Sequence, residues 1–184
     1  MSDAAQKVMT VDEFLATAEE REGRWEIEDG LAYAMAPERL DHARVKLAAV
    51  IALSNAIRRA GLPCEAVTDS VAVRITARTA YQPDALVYCG ERLPPEAREV
   101  PAPVIVVEVL SPSTALHDAH RKFVGYFSRP GVAHYLTINP RDKSLAHFRR
   151  AGGGVIETRV LYDGLLRLDP PGLELDVAEL FPAD

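Results

Sequence analysis

The chain of 184 residues is 48% hydrophobic and 26% charged, with a formal net charge of -6. Such a length suits a single domain over residues 1–184, and no apolar run reaches the roughly 18 residues that a membrane span requires. The acidic balance argues against tight, non-specific duplex binding, which needs a basic footprint, yet a local strip of arginines can coexist with an acidic remainder.

The opening MSDAAQKVMTVDEF has neither a basic start nor a long apolar stretch, so no secretory leader is expected and the cytoplasm is the expected compartment. Thr10 to Glu13 has the spacing of a capping box, and Phe14, Leu15 and Ala18 follow on one face of a short helix ending near Glu20. Trp25 and Ile27 then alternate with Glu26 and Glu28, Asp29-Gly30 tolerates positive φ, and Leu31, Tyr33 and Met35 resume the alternation, which predicts a hairpin. Across residues 41–60, Val45, Leu47, Ala48, Ile51, Ala52 and Ala56 recur at helical spacing before Gly61 and Pro63 stop the element. A second hairpin is predicted from residues 64–68 and 71–75 around Asp69-Ser70.

Residues 85–89 and 104–110 are short, valine-rich apolar runs, the pattern of central strands covered on both faces, with a proline-rich surface excursion between them. A helix capped by a Ser or Thr of residues 111–114 runs to about Ser128, where Pro130-Gly131 stops it. Residues 134–138, 145–149, 155–162 and 165–168 read as four more strands, and a last helical turn spans 177–180. Gly152 to Gly154 lacks the context of a phosphate loop and reads as a turn. The sum is an α/β domain with helices against a mixed sheet. Cys64 and Cys89 match neither a CxxC pair nor a disulfide framework, and both are expected to be reduced and structural.

Chemistry concentrates in three residues. Glu108 interrupts a wholly apolar strand, and a carboxylate there is costly to bury without a metal ion or a lysine to compensate it. A structural ion pair with an arginine is the alternative. Asp84 opens the preceding apolar strand after Pro83, although Pro-Asp is also an ordinary turn dipeptide. Lys122, on the helix that follows, reaches the end of the Glu108 strand or else pairs with Asp118 four residues before it. Two carboxylates gripping a divalent cation beside a lysine is what metal-dependent phosphodiester cleavage requires. Glu26 is expected to be an exposed strand carboxylate. His117 and His120 are expected to be solvated at a helix start, since no Cys or His cluster completes a zinc site. No GxSxG marks a serine nucleophile.

Pro83-Asp84, the run from Glu108 through Ser111-Pro112-Ser113-Thr114, and the downstream Asp118 and Lys122 resemble the Uma-two family of restriction endonucleases, a branch of the PD-(D/E)XK nuclease superfamily. Trp25 to Met35, His42 and Tyr135 to Pro140 are similar to segments of that family as well, so the resemblance covers nearly the whole chain. It implies a restriction-endonuclease-like mixed β-sheet flanked by helices, with N-terminal and C-terminal β-hairpin additions. It further implies a Mg2+ or Mn2+ ion held by Asp84, Glu108 and the Val109 carbonyl, DNA as substrate, and catalysis by Asp84, Glu108 and Lys122. The superfamily lysine stands two positions after the glutamate, where this chain has Leu110, so Lys122 is the candidate for that role. Glu26 matches a family glutamate and is a possible third acid. A homodimer is expected by analogy with enzymes that cut both strands. The rival reading is a catalytically silent member that keeps the fold as a binding or assembly module.

Overall fold

The computed structural model describes residues 8–69, 71–110 and 116–181. In chain order it forms α1 (Val11–Ala16), β1 (Trp25–Glu28), β2 (Leu31–Ala34), α2 (Leu40–Ala60), β3 (Cys64–Thr68), β4 (Val73–Thr76), β5 (Thr79–Tyr81), β6 (Ala85–Cys89) and β7 (Pro103–Val109). There follow α3 (Leu116–Ser128), β8 (His134–Asn139), β9 (Ser144–Arg150), β10 (Ile156–Leu161), β11 (Leu165–Leu168) and β12 (Leu173–Asp176). The capping box of α1 is present, Thr10 N–H donating to the Glu13 carboxylate (2.7 Å) and Glu13 N–H to Thr10 Oγ1 (3.2 Å). Gly61 ends α2 in the left-handed region at φ 62°, where a side chain would be strained.

A six-stranded sheet runs β10-β9-β8-β7-β6-β3, and each pairing is antiparallel except that of β7 with β8. A parallel pair needs a crossover connection, and α3 lies within it. Alternation along β7 sends Ile105, Val107 and Val109 into the core shared with α2, and Val106 into the one shared with α3. Val45, Ala49, Ala52, Leu53 and Ala56 form the buried stripe of α2. The β11–β12 hairpin closes the same core with Leu166, Leu168, Leu173 and Leu175. On the opposite face Tyr126, Phe123 and Phe127 of α3 pack against Leu86, Val106 and Tyr135.

A smaller sheet, β2-β1-β5-β4, carries the N-terminal hairpin, with α1 contributing Val11 and Phe14 to a separate core against Ile27, Ala32 and Ala80. The mixed sheet flanked by helices, with added hairpins at both ends, is thus the architecture the sequence predicts.

Local pairings differ from the sequence reading in three places. The predicted hairpin of residues 64–68 with 71–75 does not form: β3 pairs with β6, and β4 joins the small sheet through β5. Alternation finds strands but not their partners, and the short β5 and β12 carry too few residues to show a period. The cysteines are also corrected. Cys64 and Cys89 sit at directly paired positions of β3 and β6, with Cα atoms 3.9 Å apart, and their sulfurs form a disulfide. The expected cap of α3 lies in 111–115, outside the described residues, as do the side chains of His117 and Asp118.

Candidate metal centre

Four elements converge on a cavity of about 350 Å3, whose walls include Arg24, Glu38, His42, Asp84, Glu108, Val109 and Lys122. Asp84 stands just before β6, 4% exposed, and its Oδ2 accepts the Val109 N–H at 2.8 Å. That bond fixes the carboxylate against the end of the neighbouring strand. Glu108 takes the α3 face of β7, where its Oε1 accepts from the Tyr126 hydroxyl (2.7 Å) and from Lys122 Nζ (3.2 Å). Its side chain keeps 12% exposure, toward the cavity it lines.

Lys122 and Tyr126 lie four residues apart on α3, so both tips reach the same carboxylate. Lys122 Nζ also lies 3.0 Å from Glu26 Oε1, and Lys122 is 3% exposed. Glu26 is 1% exposed, which corrects the expectation of a solvated carboxylate. The small sheet is covered on both faces, so the polar side of β1 turns inward, toward α3. There Glu26 accepts from Tyr33 Oη (2.9 Å) and Gln82 N–H (2.8 Å).

A second group of charges adjoins Asp84. Arg24 reaches its Oδ1 at 3.3 Å and also contacts Glu38 and Asp69. Lys46 holds the same two acids, at 2.6 Å and 2.9 Å. His42 Nε2 lies 2.8 Å from the Val109 carbonyl oxygen and 3.5 Å from Asp84 Oδ2. A carbonyl only accepts, so in the neutral ring Nε2 carries the proton and Nδ1 is a bare acceptor. Nδ1 is buried without a hydrogen bond, 3.6 Å from Glu38 Oε2.

The charges around the cavity come close to balance. Around the cavity and its adjoining ion pairs, the acids Glu26, Glu38, Asp41, Asp69, Asp84 and Glu108 face the cations Arg24, Arg39, Lys46, Lys122 and Arg141. Burial pushes the Glu108 carboxyl up to about 7; Lys122 opposes the shift, and the charges of Asp84 and Glu26 reinforce it. Burial, with the adjacent Glu108 charge, pushes the Tyr126 hydroxyl well above its usual range, so it stays a donor. Burial works against the ionised Glu38 carboxyl, yet the Lys46 hydrogen bond and the charges of Lys46 and Arg24 hold it below its usual range.

Glu38, His42 and Asp84 each offer a ligand atom, all within 4.8 Å of one another. This oxygen-rich set with one imidazole and an orphaned ring nitrogen fits a divalent cation. The fold brings Asp84, Glu108, Val109 and Lys122 to one cavity, and sequence reasoning misses Glu38, His42, Arg24 and Tyr126 beside them. His42 had a signal, since it stands three residues before Val45 on the buried stripe of α2. Tyr126 had one too, four residues after Lys122. Nothing local marks Arg24 or Glu38.

A crystal structure described as a "putative nuclease belonging to DUF820" from Anabaena variabilis superposes with a TM-score of 0.72 at 19% identity, covering 94% of this chain and 97% of that one. An uncharacterised protein of Synechocystis is 29% identical over 147 residues, 79% of this chain and 76% of its own length. The model of the Uma2 family, described as "Putative restriction endonuclease", matches residues 11–178. With that match over most of its length, the chain belongs to the Uma2 family.

Proposed function

We propose that the protein is a metal-dependent endodeoxyribonuclease that uses Mg2+ or Mn2+ to hydrolyse phosphodiester bonds. The observation that carries this reading is the convergence of Glu38, His42 and Asp84, whose ligand atoms lie within 4.8 Å of one another, on a cavity that Glu108 and Lys122 also line. Asp84, Glu108 and the Val109 carbonyl would hold the ion, with Glu38 and His42 beside Asp84 and His42 also against the Val109 carbonyl. A bound divalent ion supplies Lewis acidity and a water of lowered pKa.

The chain's own groups do the rest. Asp84 is locked by the Val109 N–H, so its free lone pairs keep one direction. Tyr126 and Lys122 hold Glu108 from the α3 side, and the Lys122 charge can offset that of a pentavalent phosphate. Arg39 and Arg141 also line the cavity and give an acidic protein a local pair of cations for the phosphate backbone.

Two measurements test the reading. Glu108→Ala should abolish Mn2+- or Mg2+-dependent nicking of plasmid DNA, and full activity in a clean preparation sinks the assignment. Calorimetric titration with Mn2+ should show a site that Asp84→Asn removes. Metal binding without any cleavage by the unaltered protein would favour the silent binding module.

A further inference from the structure

The six-stranded sheet ends in β10, whose outer edge meets no strand among the described residues. Natural edge strands are usually blunted by proline, a bulge, shortness or charged side chains, and the two charges here, Glu157 and Arg159, are of opposite sign. This one has six residues, no proline and an unbroken register with β9. Val160 is 58% exposed and Thr158 and Arg159 are exposed as well. Val155, Tyr162 and Leu165, beside the strand, are further large apolar residues left in solvent.

The direction of the backbone groups follows from the ladder. Ala151 N–H donates to Val155 O at 2.8 Å, so Val155 turns its backbone toward β9. By alternation Glu157, Arg159 and Leu161 do the same, and Ile156, Thr158 and Val160 turn their N–H and C=O groups outward. An antiparallel partner centred on Thr158 would exchange backbone hydrogen bonds at those three positions. The same register sets Glu157 opposite Arg159 of the other strand, and Ile156 opposite Val160. The strand is therefore complementary to itself in charge, apolar contact and hydrogen-bonding phase.

Centring the pair on Glu157 fails on two counts: it faces like charges and turns the central backbone groups away from the partner. Side chains agree with the Thr158 centre. Thr158 pairs with Phe148 of β9, which places Ile156, Thr158 and Val160 on the α3 face beside the partly buried Phe148. Glu157 and Arg159 share the other face, where Glu157 already contacts Arg149 at 2.6 Å with 43% of its side chain exposed.

We infer that β10 is a docking edge for a second copy of this chain, joined by antiparallel two-fold pairing centred on Thr158 into one continuous sheet. A two-fold edge pairing is isologous, and it closes after two copies. It leaves the cavity untouched and does not depend on the nuclease reading.

The test is the mass of the full-length protein by light scattering over a wide concentration range. Twice the 20.1 kDa chain mass is expected. Thr158→Pro removes an outward N–H without touching the β9 ladder, and deleting the two central hydrogen bonds should weaken the dimer about tenfold or more. Arg159→Glu should also weaken it, by facing like charges, and the double change Glu157→Arg with Arg159→Glu should restore it. Thr158→Cys should cross-link copies on mild oxidation, and Arg167→Cys, on exposed β11, should not. A monomer at every concentration, indifference of the dimer to Thr158→Pro, or equal cross-linking of both cysteine variants would overturn the inference.

Discussion

Replacing Glu108 with glutamine should stabilise the metal-free protein at alkaline pH. The unfolded carboxyl loses its proton near 4.5, whereas in the fold it keeps it to about 7. Between those values unfolding releases a proton, so stability is full below the lower pKa and falls as pH rises through the upper one. The interval corresponds to on the order of 3 kcal/mol, and it already includes the help that Lys122 gives the charged form. Glutamine keeps the Tyr126 hydrogen bond and never ionises. Urea unfolding in chelator at about pH 4 and about pH 8 should give nearly equal stabilities at the acid end, with the variant ahead by about 3 kcal/mol at the alkaline end. Titrating groups that do not interact with Glu108 are common to both proteins and cancel in the difference. Adding Mn2+ at the alkaline end should close the gap, because the ion favours the carboxylate. Parallel pH profiles, or a variant that falls behind as pH rises, would refute the reasoning.

Lys122→Met leaves Glu26 and Glu108 buried without their shared cation, and breaking such a pair costs about 3 to 5 kcal/mol. For a chain of this size the melting temperature should drop by roughly 6 to 20 °C, and an unchanged melt would show that the lysine adds nothing to folding. Gly125→Ala should destabilise, although alanine is the better helix former by about 1 kcal/mol. A Cβ at Gly125 would stand 2.8 Å from Cε2 of Tyr81, whose ring packs edge-on against Tyr126. Overpacking of about 1 to 3 kcal/mol should outweigh the propensity gain, and a raised melting temperature would show that the ring moves aside freely.

Elements governed by local chemistry were legible in the sequence, and partnerships between distant segments were not. The α1 capping box, the Asp29-Gly30 turn, the Gly61 stop and the valine run around Glu108 each state their structure within a few residues. The disulfide and the pairing of β3 depend instead on which strands lie side by side, across a separation of 25 residues. Glu26 shows the limit most clearly. Its alternation with Trp25 and Ile27 gives a solvent face, and only the packing of α3 over the small sheet converts that face into the wall of a site. Glu108 was legible for the opposite reason, because an acid inside an apolar strand is anomalous before any neighbour is known.

The reach of Lys122 across two sheets also bears on how the protein is made. Glu26 leaves the ribosome 96 residues before the lysine that ties it to Glu108. At ordinary synthesis rates that is about 5 to 20 seconds in which both sheets' acids are translated in turn but their common cation does not yet exist. A chain cut short before α3 holds Glu26, Asp84 and Glu108 without the lysine that binds the first to the last. Unfinished copies therefore lack an assembled centre, and whatever chemistry the centre performs waits until translation has passed the crossover helix.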